Sequence, residues 1–315
     1  MTINIKPIDI AYVQYQHPDL DLAVEFLEDF GFTITQKSDR KVYLRGESSL
    51  PYIYVVKKGE SAGFIGFGLK VSSLNNLEAI ANYQEVSVSK VYEIDAPGGG
   101  YAVTLKDPNN FKIDLVCGIQ KRKRAELQGQ PLLFNSPTEK KRLNKPQKFR
   151  QQPAKIMRLG HIALDVLDFA RSYEWYTNLL GMLTSDRVYY GHPSYPIAAF
   201  LRCNNGKNFV DHHTIAISQS QSARIHHIGC EVRDFDDIQI GHQWLRNKQY
   251  KHVWGVGRHL LGSQIFDYWQ DPFGSLIEHF SDGDIFDADF PTTTHPGSLD
   301  ILFQWGGPVP QAFLG

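Results

Sequence analysis

Apolar and polar positions alternate along LGHIALDV (159–166) and IHHIGCEV (225–232). In the first segment Ile162, Leu164 and Val166 share one face, and His161, Ala163 and Asp165 the other. In the second, Ile228, Cys230 and Val232 fall on a face with His226, opposite Ile225, His227, Gly229 and Glu231. A period of two predicts half-buried strands. The segments also repeat: HIALDVLDF (161–169) and HIGCEVRDF (227–235) match at an offset of 227 − 161 = 66 residues. A helical pattern follows each, with Asp168 and Asp234 placed to cap its start. Several short strand-like segments come next, so the repeated unit is strand, helix and about three strands.

The first half carries the same signals. DLDLAVEFLEDFGFTI (19–34) parallels DFARSYEWYTNLLGML (168–183), each helical in spacing and closed by a glycine, Gly31 or Gly181. LKDPNNFKIDLV (105–116) parallels YWQDPFGSLIEHF (268–280), each with an Asp-Pro turn before a strand-like run. These repeats predict an α+β protein of four βαβββ modules forming two domains, each an open, barrel-like sheet with helices outside. Residues 119–154 are polar, basic and proline-containing, and read as a linker; the run Lys121–Arg124 reads as its solvated face. The expected plan is therefore a domain over 1–118, the linker, a second domain over 155–290 and a tail over 291–315.

The strand faces carry candidate chemistry. His161 and His227 are equivalent in the repeat, and both lie on the face with the small residues Ala163 and Gly229, which should line a concavity. Pseudo-symmetric modules would bring the two imidazoles to one point, and His226 to the other face. A third ligand is available in SLIEHF, although alternation separates Glu278 from His279 without choosing between them. Two histidines and a carboxylate make a facial triad with open positions, whose usual occupant is non-haem Fe(II) that binds O₂ beside substrate.

Composition narrows the classes. The chain has 315 residues, 42% hydrophobic and 21% charged, which is ordinary for a globular protein. A net charge of −1 makes no case for nucleic acid or an anionic membrane surface. No window is apolar enough to span a bilayer, and no secretory signal pattern opens the chain. Cys117, Cys203 and Cys230 are scattered, which favours a reducing, cytoplasmic compartment over a disulfide framework. Gly98-Gly99-Gly100 reads as a turn, because no phosphate-loop residues follow.

At these residues the chain resembles the type I extradiol ring-cleaving dioxygenases of the vicinal oxygen chelate (glyoxalase/bleomycin resistance) superfamily. The likeness covers nearly the whole chain as domain plan and is specific within 158–284. LGHIAL supplies the position of a first metal ligand, His161, and RIHHIGCEV that of a second, His227. GRHLLGSQIFDYWQDPFGSLIEHF holds the C-terminal signature, with Glu278 as third ligand, so the resemblance makes the choice that alternation leaves open. DHHTIAI (211–217) matches an element whose second histidine, here His213, is the acid/base. His259 and Tyr268 match groups that hydrogen-bond substrate. Asp267 departs from the pattern, which has an apolar residue there. In the first half the ligand positions fall near Ala11, Gly66 and Asp114, so that domain keeps the fold without the metal.

The resemblance implies cleavage of a catechol-type ring beside its two hydroxyls, with both atoms of O₂ incorporated, in aromatic-compound catabolism. It implies Fe(II) in preference to Mn(II), O₂ as co-substrate, a small-molecule catechol and a homo-oligomer. Phe200 and Ala163 are expected to line the ring pocket, with 189–200 setting its size. Arg158, Arg187 and Arg258 are the candidates should the substrate carry a carboxylate. His212, His226 and His279 are expected to face away from their active neighbours, so that His227→Ala loses iron and His226→Ala keeps it. His17, His192, His242, His252 and His295 are expected at the surface. The alternatives are a glyoxalase-type isomerase or thiol transferase, or a metal-free ligand-sequestering protein of the same fold.

Overall fold

The computed structural model describes residues 5–83, 87–123 and 134–314. Two sheets are built from the same module used four times. The first module is β1 (Asp9–His17), α1 (Leu20–Phe30), β2 (Thr33–Lys37), β3 (Lys41–Arg45) and β4 (Tyr54–Lys58). The second is β5 (Gly63–Lys70), α2 (Leu74–Ala81), β6 (Tyr92–Glu93), β7 (Tyr101–Lys106) and β8 (Lys112–Cys117). The third is β9 (Ile156–Val166), α3 (Phe169–Glu174), β10 (Leu183–Tyr189), β11 (Pro196–Arg202), the short β12 (Val210–Asp211) and β13 (Ile215–Gln219). The fourth is β14 (Arg224–Val232), α4 (Phe235–Asn247), β15 (Lys251–Arg258), β16 (Ile265–Gln270) and β17 (Leu276–Ser281). After it come β18 (Ile285–Phe286), β19 (Thr293–Pro296), a 3₁₀ turn over Leu299–Leu302 and the short α5 (Gln311–Leu314).

The first sheet runs β2-β3-β4-β1-β5-β8-β7-β6 and the second β15-β16-β17-β14-β9-β13-β11-β10-β19. In each, the opening strands of two modules pair antiparallel at the centre, which relates the modules by a pseudo-dyad. In the second sheet that dyad passes through the pair Ile162–Ile228. His161 then lies opposite Gly229, and His227 opposite Ala163. The parallel pairing of β14 with β17 sets Glu278 beside Gly229. Three chain segments more than 110 residues apart at their extremes thus meet at one point of the sheet.

Local chemistry fixes the helices as the sequence predicts. Asp19, Asp168 and Asp234 cap α1, α3 and α4 by accepting backbone N–H groups of the first turn. Gly31 closes α1 at φ +117°, and a Cβ there would lie 2.1 Å from the Ala154 carbonyl oxygen. The helical run of the third module differs from expectation: α3 ends at Glu174 and continues as a π-helical turn over Trp175–Leu179. The helices pack on the apolar sheet faces, where Ile162, Leu164, Ile228 and Cys230 join Phe169 and Leu245 in one core cluster. α1 meets α4 and the turn after it, where Asp29 accepts from Trp244 Nε1 (3.0 Å) and Tyr250 Oη (2.9 Å).

Residues 119–123 and 134–154 form neither helix nor strand; Arg124 and the rest of 124–133 lie outside the described residues. No helix among the described residues is long and apolar enough to cross a membrane.

Candidate metal centre

His161, His227 and Glu278 converge, with one ligand atom of each within 4.8 Å of the others. His161 Nε2 lies 2.9 Å from Glu278 Oε2 and 3.3 Å from His227 Nε2, and His227 Nε2 lies 3.7 Å from Glu278 Oε2. All three side chains are buried. Close approach depends on Gly229, because a Cβ there would sit 2.2 Å from the His161 ring.

Glu278 is the informative group. Both of its carboxylate oxygens are buried without a hydrogen-bonding partner; the His161 nitrogen is near but outside hydrogen-bond geometry. Burial alone would raise its pKa, yet the surrounding imidazoles of His161, His259 and His227 outweigh burial and hold it well below the usual carboxylate range. A buried anionic carboxylate without donors is costly unless a cation completes it. The first sheet supplies an internal control. There Asp114 pairs with Gly68 as Glu278 pairs with Gly229. Asp114 accepts from Tyr12 Oη (3.0 Å), Gln14 Nε2 (2.8 Å) and Thr104 Oγ1 (2.6 Å), and Lys112 Nζ lies 3.6 Å away, so the protein's own groups satisfy it. A register shift between Ile10 and Tyr12 makes Tyr12, and not Ala11, the counterpart of His161, because Tyr12 is the residue opposite Gly68.

Hydrogen bonds set the imidazole tautomers. A carbonyl only accepts, so His226 Nε2 donates to the Phe313 oxygen (2.8 Å). In neutral His226, Nδ1 is then an acceptor and takes the proton of His227 Nδ1 (2.7 Å). That leaves the His227 Nε2 lone pair directed at the centre, the form a metal ligand requires. Burial pushes the His227 pKa well down, which keeps the ring neutral. The expectation that His226 faces away is corrected here. A bulge between Ile225 and His227 breaks the alternation, and His226 lines the same cavity as His227.

The same device recurs at His212 and His213. His212 Nε2 binds the Asp186 carboxylate at 2.6 Å, and its Nδ1 lies 2.9 Å from His213 Nδ1. Asp186 also binds Thr293 and His295, and these partners hold its pKa down at about 2 against the raising effect of burial. The arrangement leaves His213 Nε2 as a base. The His213 ring centroid is 4.3 Å from that of His161, and burial lowers its pKa well below the ordinary histidine value. His212 therefore does not turn away from its neighbour. His279 does: its Nε2 donates to the Phe30 carbonyl (2.8 Å) on the far side of β17.

His259 Nδ1 donates to the Leu302 carbonyl (2.6 Å), so Tyr268 Oη donates to His259 Nε2 (2.9 Å) and keeps its lone pairs for a ligand. Burial, with Glu278 beside it, pushes the Tyr268 pKa well up and keeps the phenol protonated.

These groups open on a cavity of about 450 Å³ that also includes Ala163, Phe200, Val188, Ile197 and Ala216. Of the 189–200 segment, Tyr190, Ile197, Ala198 and Phe200 line it. The residues from 297 onward that close it carry no sequence signal: Leu299, Ile301, Leu302 and Phe313 fold over its mouth. No lysine or arginine is among the described lining residues. Arg158, in β9, is held by Asp211 and Glu231, and Arg258 by Asp282 and the Ser263 carbonyl.

Among the histidines expected at the surface, His192 is exposed. His17 instead is buried at the end of β1 and stacks on Phe273 at 4.2 Å. His295 is partly buried on β19 against Asp186, and His242 and His252 are partly buried around Asp267. Pattern could not show this, because all four are covered by partners distant in sequence.

Comparison with known proteins places this geometry. Residues 158–279 match the profile of the Glyoxalase/Bleomycin resistance protein/Dioxygenase superfamily. Metapyrocatechase 2 of Cupriavidus necator is 27% identical, over 97% of this chain and 91% of that protein. The 2,2′,3-trihydroxybiphenyl dioxygenase of Sphingomonas paucimobilis is 27% identical over 48% of this chain and 49% of its own. Two solved structures share the fold. Homoprotocatechuate 2,3-dioxygenase of Brevibacterium fuscum, as an anaerobic complex with 3,4-dihydroxyphenylacetate, has a TM-score of 0.82 at 19% identity, covering 100% of this chain and 93% of that one. The Mn(II)-bound glyoxalase of Novosphingobium aromaticivorans has a TM-score of 0.81 at 22% identity, covering 98% and 94%.

Proposed function

We propose that the chain, whose residues 158–279 match the Glyoxalase/Bleomycin resistance protein/Dioxygenase superfamily profile, is an extradiol dioxygenase cleaving a catechol-type ring beside its hydroxyls. The observation that carries this reading is the buried carboxylate of Glu278, without a hydrogen-bonding partner, set against His161 and His227, which line a largely apolar cavity. His161, His227 and Glu278 would hold Fe(II), with Mn(II) as the poorer match to the reaction. The ion would supply an electron path between the two vicinal oxygens of a chelated catechol and O₂.

The protein's own groups orient substrate and move protons. His213, a neutral base at physiological pH, takes a proton near the ring and returns it to a later oxygen. Tyr268 accepts from a substrate hydroxyl while its own O–H stays donated to His259 Nε2. Phe200 and Ala163 hold the ring, and Leu302 and Phe313 keep water out. With no lysine or arginine among the described lining residues, the substrate is a catechol bearing an uncharged apolar substituent, in preference to a carboxylated one.

The test is O₂ uptake by the anaerobically Fe(II)-loaded chain on addition of alkyl-, aryl- or carboxymethyl-substituted catechols. One O₂ consumed per catechol, with a yellow ring-opened product and the apolar series turned over best, is the expected result. Iron-replete protein that consumes no O₂ with any catechol would sink the reading and leave the isomerase or sequestering alternatives. His213→Ala should keep its iron while kcat falls about 10²–10⁴-fold, the usual range for a lost acid/base.

A further inference from the structure

A second set of ligand-type side chains lies on the opposite face of the catalytic sheet. Asp267 is fully buried on β16, immediately before Tyr268, and alternation turns it to the helix side. Its Oδ1 lies 3.0 Å from His242 Nδ1, on α4, and 2.9 Å from His252 Nε2, on β15. Its other oxygen accepts from Trp269 Nε1 at 2.6 Å and lies 3.1 Å from His242 Nδ1. One ligand atom from each of His242, His252 and Asp267 lies within 4.8 Å of the others.

We infer that His242, His252 and Asp267 form a second divalent-metal site, of the kind that takes Zn²⁺, distinct from the catalytic centre. Three features support it. Trp269 fixes one oxygen and leaves the other to bind an ion in monodentate fashion, the outer-sphere support typical of metal ligands. The imidazole side chains are 17% and 29% exposed, which gives an ion a path in and leaves room for a water as fourth ligand. The spacing also suits: tetrahedral zinc with bonds of about 2.0–2.1 Å holds its donor atoms roughly 3.3 Å apart, a few tenths beyond the contacts seen. Gly255 allows β15 to pass over the carboxylate, since a Cβ there would lie 2.9 Å from the Asp267 Cα.

Without an ion the cluster is a hydrogen-bonded His–Asp–His group, and stoichiometry separates the two states. The full-length, untagged, metal-free chain is titrated with Co²⁺, followed by calorimetry and by the ion's visible absorption. Wild type is expected to bind two ions, His161→Ala one, His252→Gln one and the double variant none. Saturation of wild type at one ion, or two ions retained by His252→Gln, overturns the inference. His242→Gln, a solvent-reaching helix position, repeats the test should His252→Gln fail to fold. Because His161→Ala removes only the catalytic centre, failure of the dioxygenase reading leaves this count unaffected.

Discussion

At the residue scale, adjacent histidines work in pairs. His226–His227 and His212–His213 each join Nδ1 to Nδ1, with the outer ring anchored by the Phe313 carbonyl or Asp186. The anchor fixes the outer tautomer, and the outer ring fixes the inner one. His227→Ala should abolish tight iron binding, and His226→Ala should weaken it about 10–100-fold, the usual effect of losing a partner behind a ligand. Iron retained per chain after dialysis against a graded chelator measures both, and equal retention by wild type and His226→Ala would refute the relay. Repeat and resemblance singled out His161, His227 and Glu278, and the fold brings their side chains together. Alternation misplaced His226, because a single bulge inverts strand parity and leaves no mark in composition.

At the element scale, the centre depends on register. β9 and β14 set His161 against Gly229, and β14 and β17 set Glu278 beside the same glycine. Gly229→Ala would place its methyl against the His161 ring, 2.2 Å from the nearest atom, so the imidazole must leave its position. The expected result is loss of iron with far-ultraviolet circular dichroism preserved; full iron occupancy would show that the displaced imidazole still reaches the ion. Strands and capped helices were legible from periodicity and from Asp19, Asp168 and Asp234. The π-helical turn at Trp175–Leu179 was not, since its apolar spacing is that of an ordinary helix. Leu299–Phe313, within the expected tail over 291–315, lines the cavity through contacts made across long sequence separations, which periodicity does not record.

At the scale of the whole molecule, buried neutral histidines govern acid stability. Burial pushes His17 and His279 down to about 4, in the latter despite its bond to the Phe30 carbonyl. Both bind protons more readily when unfolded, near the ordinary value of about 6.5. Stability is therefore unaffected above that pH and falls as pH drops from about 6.5 towards 4, by up to about 1.4 kcal/mol per pH unit for each proton. Denaturant midpoints from pH 7 to 5 measure the slope, and His17→Phe, which keeps the stack on Phe273, should flatten it. An unchanged slope would remove His17 from the account.

β17 bears on both halves of the molecule at once. Glu278 points to the metal centre, and its neighbour His279 stacks on Phe30 at 3.7 Å and binds that residue's carbonyl, at the end of α1. An ion that binds only the native arrangement stabilises whatever that arrangement holds together. Removing a metal bound by Glu278 should therefore speed amide hydrogen exchange around Phe30–Phe32, in the other half of the chain, before it is felt in the outer strands of either sheet.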